Sequence, residues 1–84
     1  MQLYRQEELL RRNNESIDWP AVGKRIRQLR GFEMTQAEFA HRVGVSQSFL
    51  SAVEQGRNEA GAQVLLAISR EFGKSIEWLL TGKE

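Results

Sequence analysis

Between Thr35 and Gly56 the chain has room for two short helices, a tight turn and little else. Thr35 and, three residues on, Glu38 form a capping-box pattern, in which the threonine side chain accepts a backbone amide of the first turn and the glutamate reaches back to the threonine amide. Phe39, Ala40 and Val43 follow at helical spacing. Gly44 stops that helix, since glycine takes the left-handed backbone of a sharp exit at little steric cost. Ser46 is a second cap, Leu50 and Val53 form the next apolar face, and Gly56 ends it. Ala40 is small where helices joined so closely must approach, and Val45 is apolar just past the turn, where it fills the angle between them. Each feature alone is weak. At this spacing they predict two helices held at a fixed angle by a turn of three or four residues.

The same punctuation extends the reading in both directions. Asp18-Trp19-Pro20 is a helix start, with Asp18 as N-cap and proline in the first turn. Val22, Ile26 and Leu29 make its apolar stripe, and Gly31 ends it. Ala62 to Phe72 reads as a fourth helix, striped by Leu65, Ile68 and Phe72 and closed by Gly73. Ser75 caps a short fifth helix over Ile76 to Leu80, closed by Gly82, with Leu79 and Leu80 directed at the core. Ahead of these five helices, residues 1–18 read as an arm. Leu3 to Arg12 has an amphipathic pattern suited to packing on its own domain, pairing with another protomer, or staying frayed. The division is therefore an N-terminal arm, 1–18, and a helical domain, 19–84.

Charge narrows the function. The net charge is only +1, but it is unevenly spread. Residues 19–44 carry Lys24, Arg25, Arg27, Arg30 and Arg42 against Glu33 and Glu38. Such a concentration suits a phosphate-facing surface, and equally an ordinary solvated helix face. There is no cysteine, so neither a disulfide nor a thiolate metal site is expected. The one histidine, His41, has no partner at metal-ligand spacing. Ser46, Ser48 and Ser51 suit caps and groove contacts better than nucleophilic catalysis, and Glu7, Glu8 and Glu15 form no paired-carboxylate site. No cofactor, metal or enzymatic activity is expected. No apolar run approaches a membrane span, and the first fifteen residues predict no signal peptide, so a cytoplasmic protein is expected.

The chain resembles the phage-repressor-like family (Cro/CI, or XRE-type) of helix-turn-helix DNA-binding proteins. The resemblance runs from about Val22 to Gly82 and rests on Gly23-Lys24-Arg25-Ile26-Arg27-Gln28-Leu29-Arg30, Thr35-Gln36 with Phe39-Ala40, Val45-Ser46-Gln47-Ser48, Glu54-Gln55-Gly56-Arg57 and Trp78-Leu79-Leu80-Thr81-Gly82. It implies an all-α, five-helix lambda-repressor-like DNA-binding domain, here with an extra N-terminal helical arm, acting as a homodimer on double-stranded DNA. In such motifs the second helix, here Ser46 to Gln55, lies in the major groove with its first turn against base edges.

Gln47 is then the main reading residue, since an amide side chain pairs with adenine at N6 and N7 together. Ser48 reaches a base or a phosphate. Phe49 either touches a thymine methyl or fills the core. Ala52 offers only an apolar contact to the groove. Gln36 matches the family's phosphate-binding glutamine and is also placed to brace Gln47. Arg57 is expected at a phosphate, with Ser51 and Asn58 as weaker phosphate contacts and Arg25 and Arg42 adding long-range attraction. The resemblance makes Arg30 and Glu54 a structural ion pair between the first and third helices. The run Asn58-Glu59-Ala60-Gly61 departs from the proline and capping serine common in relatives, and Glu59 would repel a phosphate.

The expected function is a sequence-specific transcriptional regulator, with repression as its action. The alternative is a protein-interaction module or antitoxin-like subunit on the same fold. It is favoured by the near-neutral charge, by the lack of arginine inside the reading helix and by the arm's apolar stripe. Dimer surfaces open to the chain are the fifth helix with Trp78, the loop before it, and the arm.

Overall fold

The computed structural model describes residues 17–83, and all its regular structure is helical. The five helices are α1 (Trp19–Arg30), α2 (Gln36–Val43), α3 (Gln47–Glu54), α4 (Ala62–Phe72) and α5 (Ile76–Thr81). The expected fold class and helix order are those observed. The amphipathic pattern over Leu3 to Arg12 lies outside the described residues.

The helix ends have identifiable causes. Asp18 Oδ1 accepts the Ala21 amide at 3.1 Å, which caps α1. At α2 both halves of the capping box form: the Glu38 amide donates to Thr35 Oγ1 at 3.0 Å and the Thr35 amide to Glu38 Oε1 at 2.8 Å. Ser46 and Ser75 cap α3 and α5 by accepting the amides of Phe49 and Trp78. The start of α4 is different. Its N-cap is Gly61, with no side-chain hydrogen bond. This is the run Asn58-Glu59-Ala60-Gly61, which holds no serine or threonine to cap the helix. Buried Ala60 pins the loop there instead.

Alpha1 packs on α3 and α5, α2 on α3 and α4, and α4 on α5. The shared core is Val22, Ile26, Phe39, Leu50, Val53, Ile68 and Leu79, all essentially without solvent contact. Phe39 and Phe72 stack at 4.8 Å between centroids, tying α2 to α4. Leu29 and Leu80 pack on this core but stay half-buried. The crossing of α1 and α3 is close because residue 23 is glycine. A Cβ there would overlap the Val53 carbonyl oxygen and stand 2.8 Å from that of Glu54. The short helix α3 is thereby fixed against α1 without a disulfide. No helix among the described residues is long and apolar enough to cross a membrane.

Candidate nucleic-acid interface

The turn between α2 and α3 sets the geometry of the site. Gly44 takes the left-handed backbone (φ 81°, ψ 30°), and the amides of Gly44 and Val45 both return to the Ala40 carbonyl, at 2.9 and 3.0 Å. Val45 sits half-buried against the core, inside the angle. The first turn of α3 is thus held out into solvent next to the first turn of α2.

The two helix starts share a shallow polar groove of about 400 Å³ lined by Gln36, Gln47, Ser48, Ser51 and Arg57. Five of the residues singled out in the sequence come together there. Gln47 and Ser48 are exposed, and Ser51 is half-buried. Ser51 Oγ accepts from the Gln55 amide at 3.2 Å. Arg57 is exposed, with its main-chain amide on the Ala52 carbonyl at 2.8 Å and its Nε donating to Gln55 Oε1 at 2.9 Å.

Below the groove lies an ion pair. Arg30 meets Glu54 side-on, Nε to Oε2 at 2.8 Å and Nη2 to Oε1 at 2.9 Å, with 13% of the arginine and 3% of the glutamate side chain exposed. Arg30 Nη1 also donates to the Met34 carbonyl, and Gln36 Nε2 donates to Glu54 Oε1 at 2.9 Å. One carboxylate therefore binds the end of α1 and the start of α2 to the end of α3. Burial pushes the Glu54 carboxyl up, but the hydrogen bonds from Arg30 and Gln36, with the charges of Arg30 and Arg27, outweigh burial and hold it below its ordinary value. The same hydrogen bond raises Arg30 against the opposing effect of burial. The Gln36 side-chain nitrogen is therefore held by Glu54.

The other residues singled out in the sequence lie outside the groove walls. Ala52 is only 5% exposed, so its methyl group belongs to the interior and offers nothing to a groove. That corrects the expected apolar contact: Ala52 shares the inward side of α3 with buried Val53. Phe49 packs against the core, which favours the filling role of its two readings. Ser46 uses its hydroxyl oxygen as the α3 cap. Asn58 is exposed but is not among the groove walls, and Glu59 is likewise exposed beyond them. Arg25 is committed to the end of α5, with Nη1 donating to the Leu79 carbonyl at 2.8 Å, and Arg42 lies over the Phe72 ring. Trp78 is half-buried on the core, with Lys74 over its ring. One residue of the site was missed in the sequence: Gln55, which touches both Ser51 and Arg57. Its spacing of four from Ser51 on one helix was the available signal.

Among the described residues no group of three or more His, Cys, Asp or Glu is placed to hold a metal ion. The groove offers amide, hydroxyl and guanidinium groups, a set suited to base edges and phosphate oxygens.

Comparison with known proteins agrees with this geometry. A helix-turn-helix family model matches residues 24–79. The chain is similar to a propionyl-CoA carboxylase regulator of Cereibacter sphaeroides, 36% identical over 63 residues, which is 74% of this chain but only 14% of that protein. Among solved structures it is similar to the P22 c2 repressor in complex with a synthetic operator, with a TM-score of 0.68 and 35% identity, covering 74% of this chain and 96% of that one. It is also similar to the clp gene regulator ClgR from Corynebacterium glutamicum, with a TM-score of 0.67 and 29% identity, over 80% of this chain and 72% of that one. The fold is the five-helix, lambda-repressor-like one.

Proposed function

We propose, from the premise that this chain belongs to the helix-turn-helix family of DNA-binding transcriptional regulators, that it is a sequence-specific repressor that lays α3 in the major groove of double-stranded DNA. The observation that carries the reading is the single groove shared by Gln36, Gln47, Ser48, Ser51 and Arg57. Gln47, exposed in the first turn of α3, reads an adenine through its amide. Ser48 contacts the neighbouring base or its phosphate. Gln36 and Arg57, which line the same groove, hold phosphates and so fix register and affinity rather than sequence.

One copy reads only a few base pairs, so the active species is a homodimer on two half-sites about 34 Å apart. Repression follows by steric exclusion at a promoter in the cytoplasm. The test is selection from a randomised DNA pool by the wild-type chain and by Gln47→Ala in parallel, with salt titrated on the winning duplex. The expected result is a near-palindromic consensus that Gln47→Ala degrades at one position per half-site. Affinity should fall with a log–log salt slope of roughly −0.9 per phosphate neutralised. Failure to enrich any sequence, with only weak binding at low salt, sinks the reading.

One observation favours a second reading, docking of a partner protein. Phe32, in the loop after α1, is fully exposed, and it borders a hollow walled by Lys24, Arg27 and Gln28. An acidic partner with an apolar pocket for the ring would match that face. Phe32→Ser should then abolish association with such a partner and leave DNA selection unchanged.

A further inference from the structure

Gln55 ends α3, and what it does there is not capping alone. Its main chain is αR (φ −87°, ψ −1°), with its amide on the Ser51 carbonyl at 3.1 Å. Gly56 follows at φ 79° and runs so close to Pro20 that a Cβ would stand 2.8 Å from the proline Cα. The path into Arg57 is therefore fixed on both sides, and the Arg57 amide is tied to the Ala52 carbonyl at 2.8 Å. On this rigid base the Gln55 side chain makes two bonds at once. Its Oε1 accepts Arg57 Nε at 2.9 Å and its Nε2 donates to Ser51 Oγ at 3.2 Å.

The direction of these bonds matters. An amide has one accepting and one donating end. With the accepting end taken by Arg57, the donating end must face Ser51. The serine oxygen is then an acceptor toward Gln55, and its O–H proton is left to point elsewhere. Arg57 has only its Nε engaged by Gln55, so the outer edge of its guanidinium keeps paired donors for a bidentate acceptor. Ser51 and Arg57 line the same groove. Arg57 thus keeps charged donors at the groove and Ser51 a hydroxyl proton still to give, which suits a ligand that is anionic and only accepts.

We propose that Gln55 is a positioning residue that locks Ser51 and Arg57 into a two-point clamp for a single DNA phosphate, without itself touching the DNA. This rests on the DNA-reading function proposed above and adds how the phosphate contact is made. Without Gln55 the arginine keeps its charge but must be ordered at the moment of binding. That cost corresponds to a loss of affinity on the order of three- to tenfold.

The experiment compares the full chain with Gln55→Met, Arg57→Ala and the double variant. Each is titrated against the selected duplex and a random-sequence duplex of equal length, across a range of salt. Gln55→Met is expected to weaken both duplexes by about three- to tenfold, leaving the selected consensus and the salt slope unchanged. Arg57→Ala is expected to weaken binding more and to reduce the salt slope by about one unit. The double variant should lose less than the sum of the two single losses, because Gln55 acts through Arg57 and Ser51 and not on the DNA itself.

Losses that simply add would show that Gln55 contacts DNA directly, and would overturn the relay. So would a Gln55→Met variant that binds like wild type, or a normal affinity in Arg57→Ala. In each of those cases a consensus still degraded by Gln47→Ala would keep the DNA reading intact. If no duplex is bound by the wild-type chain, both fall together.

Discussion

The inner and outer faces of α3 are cut from the same eight residues and obey opposite demands. Leu50, Ala52 and Val53 turn inward and are almost fully buried, while Gln47, Ser48 and Ser51 turn toward the groove. Glu54 sits at the boundary, a charge brought inside because Arg30 and Gln36 satisfy it. The inner face decides where the outer face stands, and the outer face has little part in stability. Substitutions on the two faces should therefore be separable, with stability lost on one side and DNA selectivity on the other.

The largest effect is expected where the two faces meet. Glu54→Ala leaves Arg30 buried without its partner and releases Gln36 as well. Breaking a buried pair on one side costs about 3–5 kcal/mol. Urea unfolding measures it, and Arg30→Met combined with Glu54→Met should recover much of the loss. The pH dependence follows from the direction of the shift. The folded protein holds the Glu54 carboxyl below its ordinary value of 4.5. Its contribution is thus fully present above the unfolded-state value and is lost as pH falls through the lower folded-state value. An acid-unfolding series should show a shallower decline for Glu54→Gln than for the wild type over that window. An equal slope in both would remove Glu54 as the source.

Next in size is the interior of the same helix. Leu50→Ala removes a fully buried side chain of α3 from the shared core, at a cost of about 2–5 kcal/mol. If the faces are separable, the variant that remains folded at low temperature selects the same DNA consensus as the wild type. A changed consensus would mean that packing errors pass directly into base readout. On the outer face, Gln47→Ala should reverse the pattern. Its unfolding midpoint is expected to match wild type, because the side chain is exposed. Discrimination at one base position should fall by about 1–3 kcal/mol.

How much of this was legible in the sequence depends on the range of the interaction. The capping box at Thr35 and Glu38, the stop at Gly44 and the serine caps at 46 and 75 are local devices, and the structure has them where the residue types require. The groove residues were visible because they begin two capped helices joined by a fixed turn. What local pattern could not supply was how closely α1 and α3 cross. Gly23 was visible as part of a motif, but its role as the residue that admits the Val53 and Glu54 carbonyls depends on the crossing itself. Gln55 was obscured for another reason. Its partners flank it on either side of a chain reversal at Gly56, and only the folded path brings both within reach of one amide.

The smallest effect tests the boundary between the faces most finely. Ser46 is exposed next to Gln47, yet its hydroxyl oxygen is spent on the Phe49 amide at 3.0 Å. A residue that acts only as a cap loses about 1 kcal/mol of stability when changed to alanine, and little when changed to aspartate, which caps as well. A residue that also contacts a phosphate responds to aspartate in the opposite way, because a carboxylate would be repelled by the DNA backbone. Thermal unfolding of Ser46→Ala and Ser46→Asp, set beside DNA titrations of both, separates the two roles. Restored stability with restored binding in Ser46→Asp assigns the residue wholly to the fold. Restored stability with weakened, strongly salt-dependent binding places it within reach of the DNA backbone, and the outer face of α3 then begins one residue earlier than Gln47.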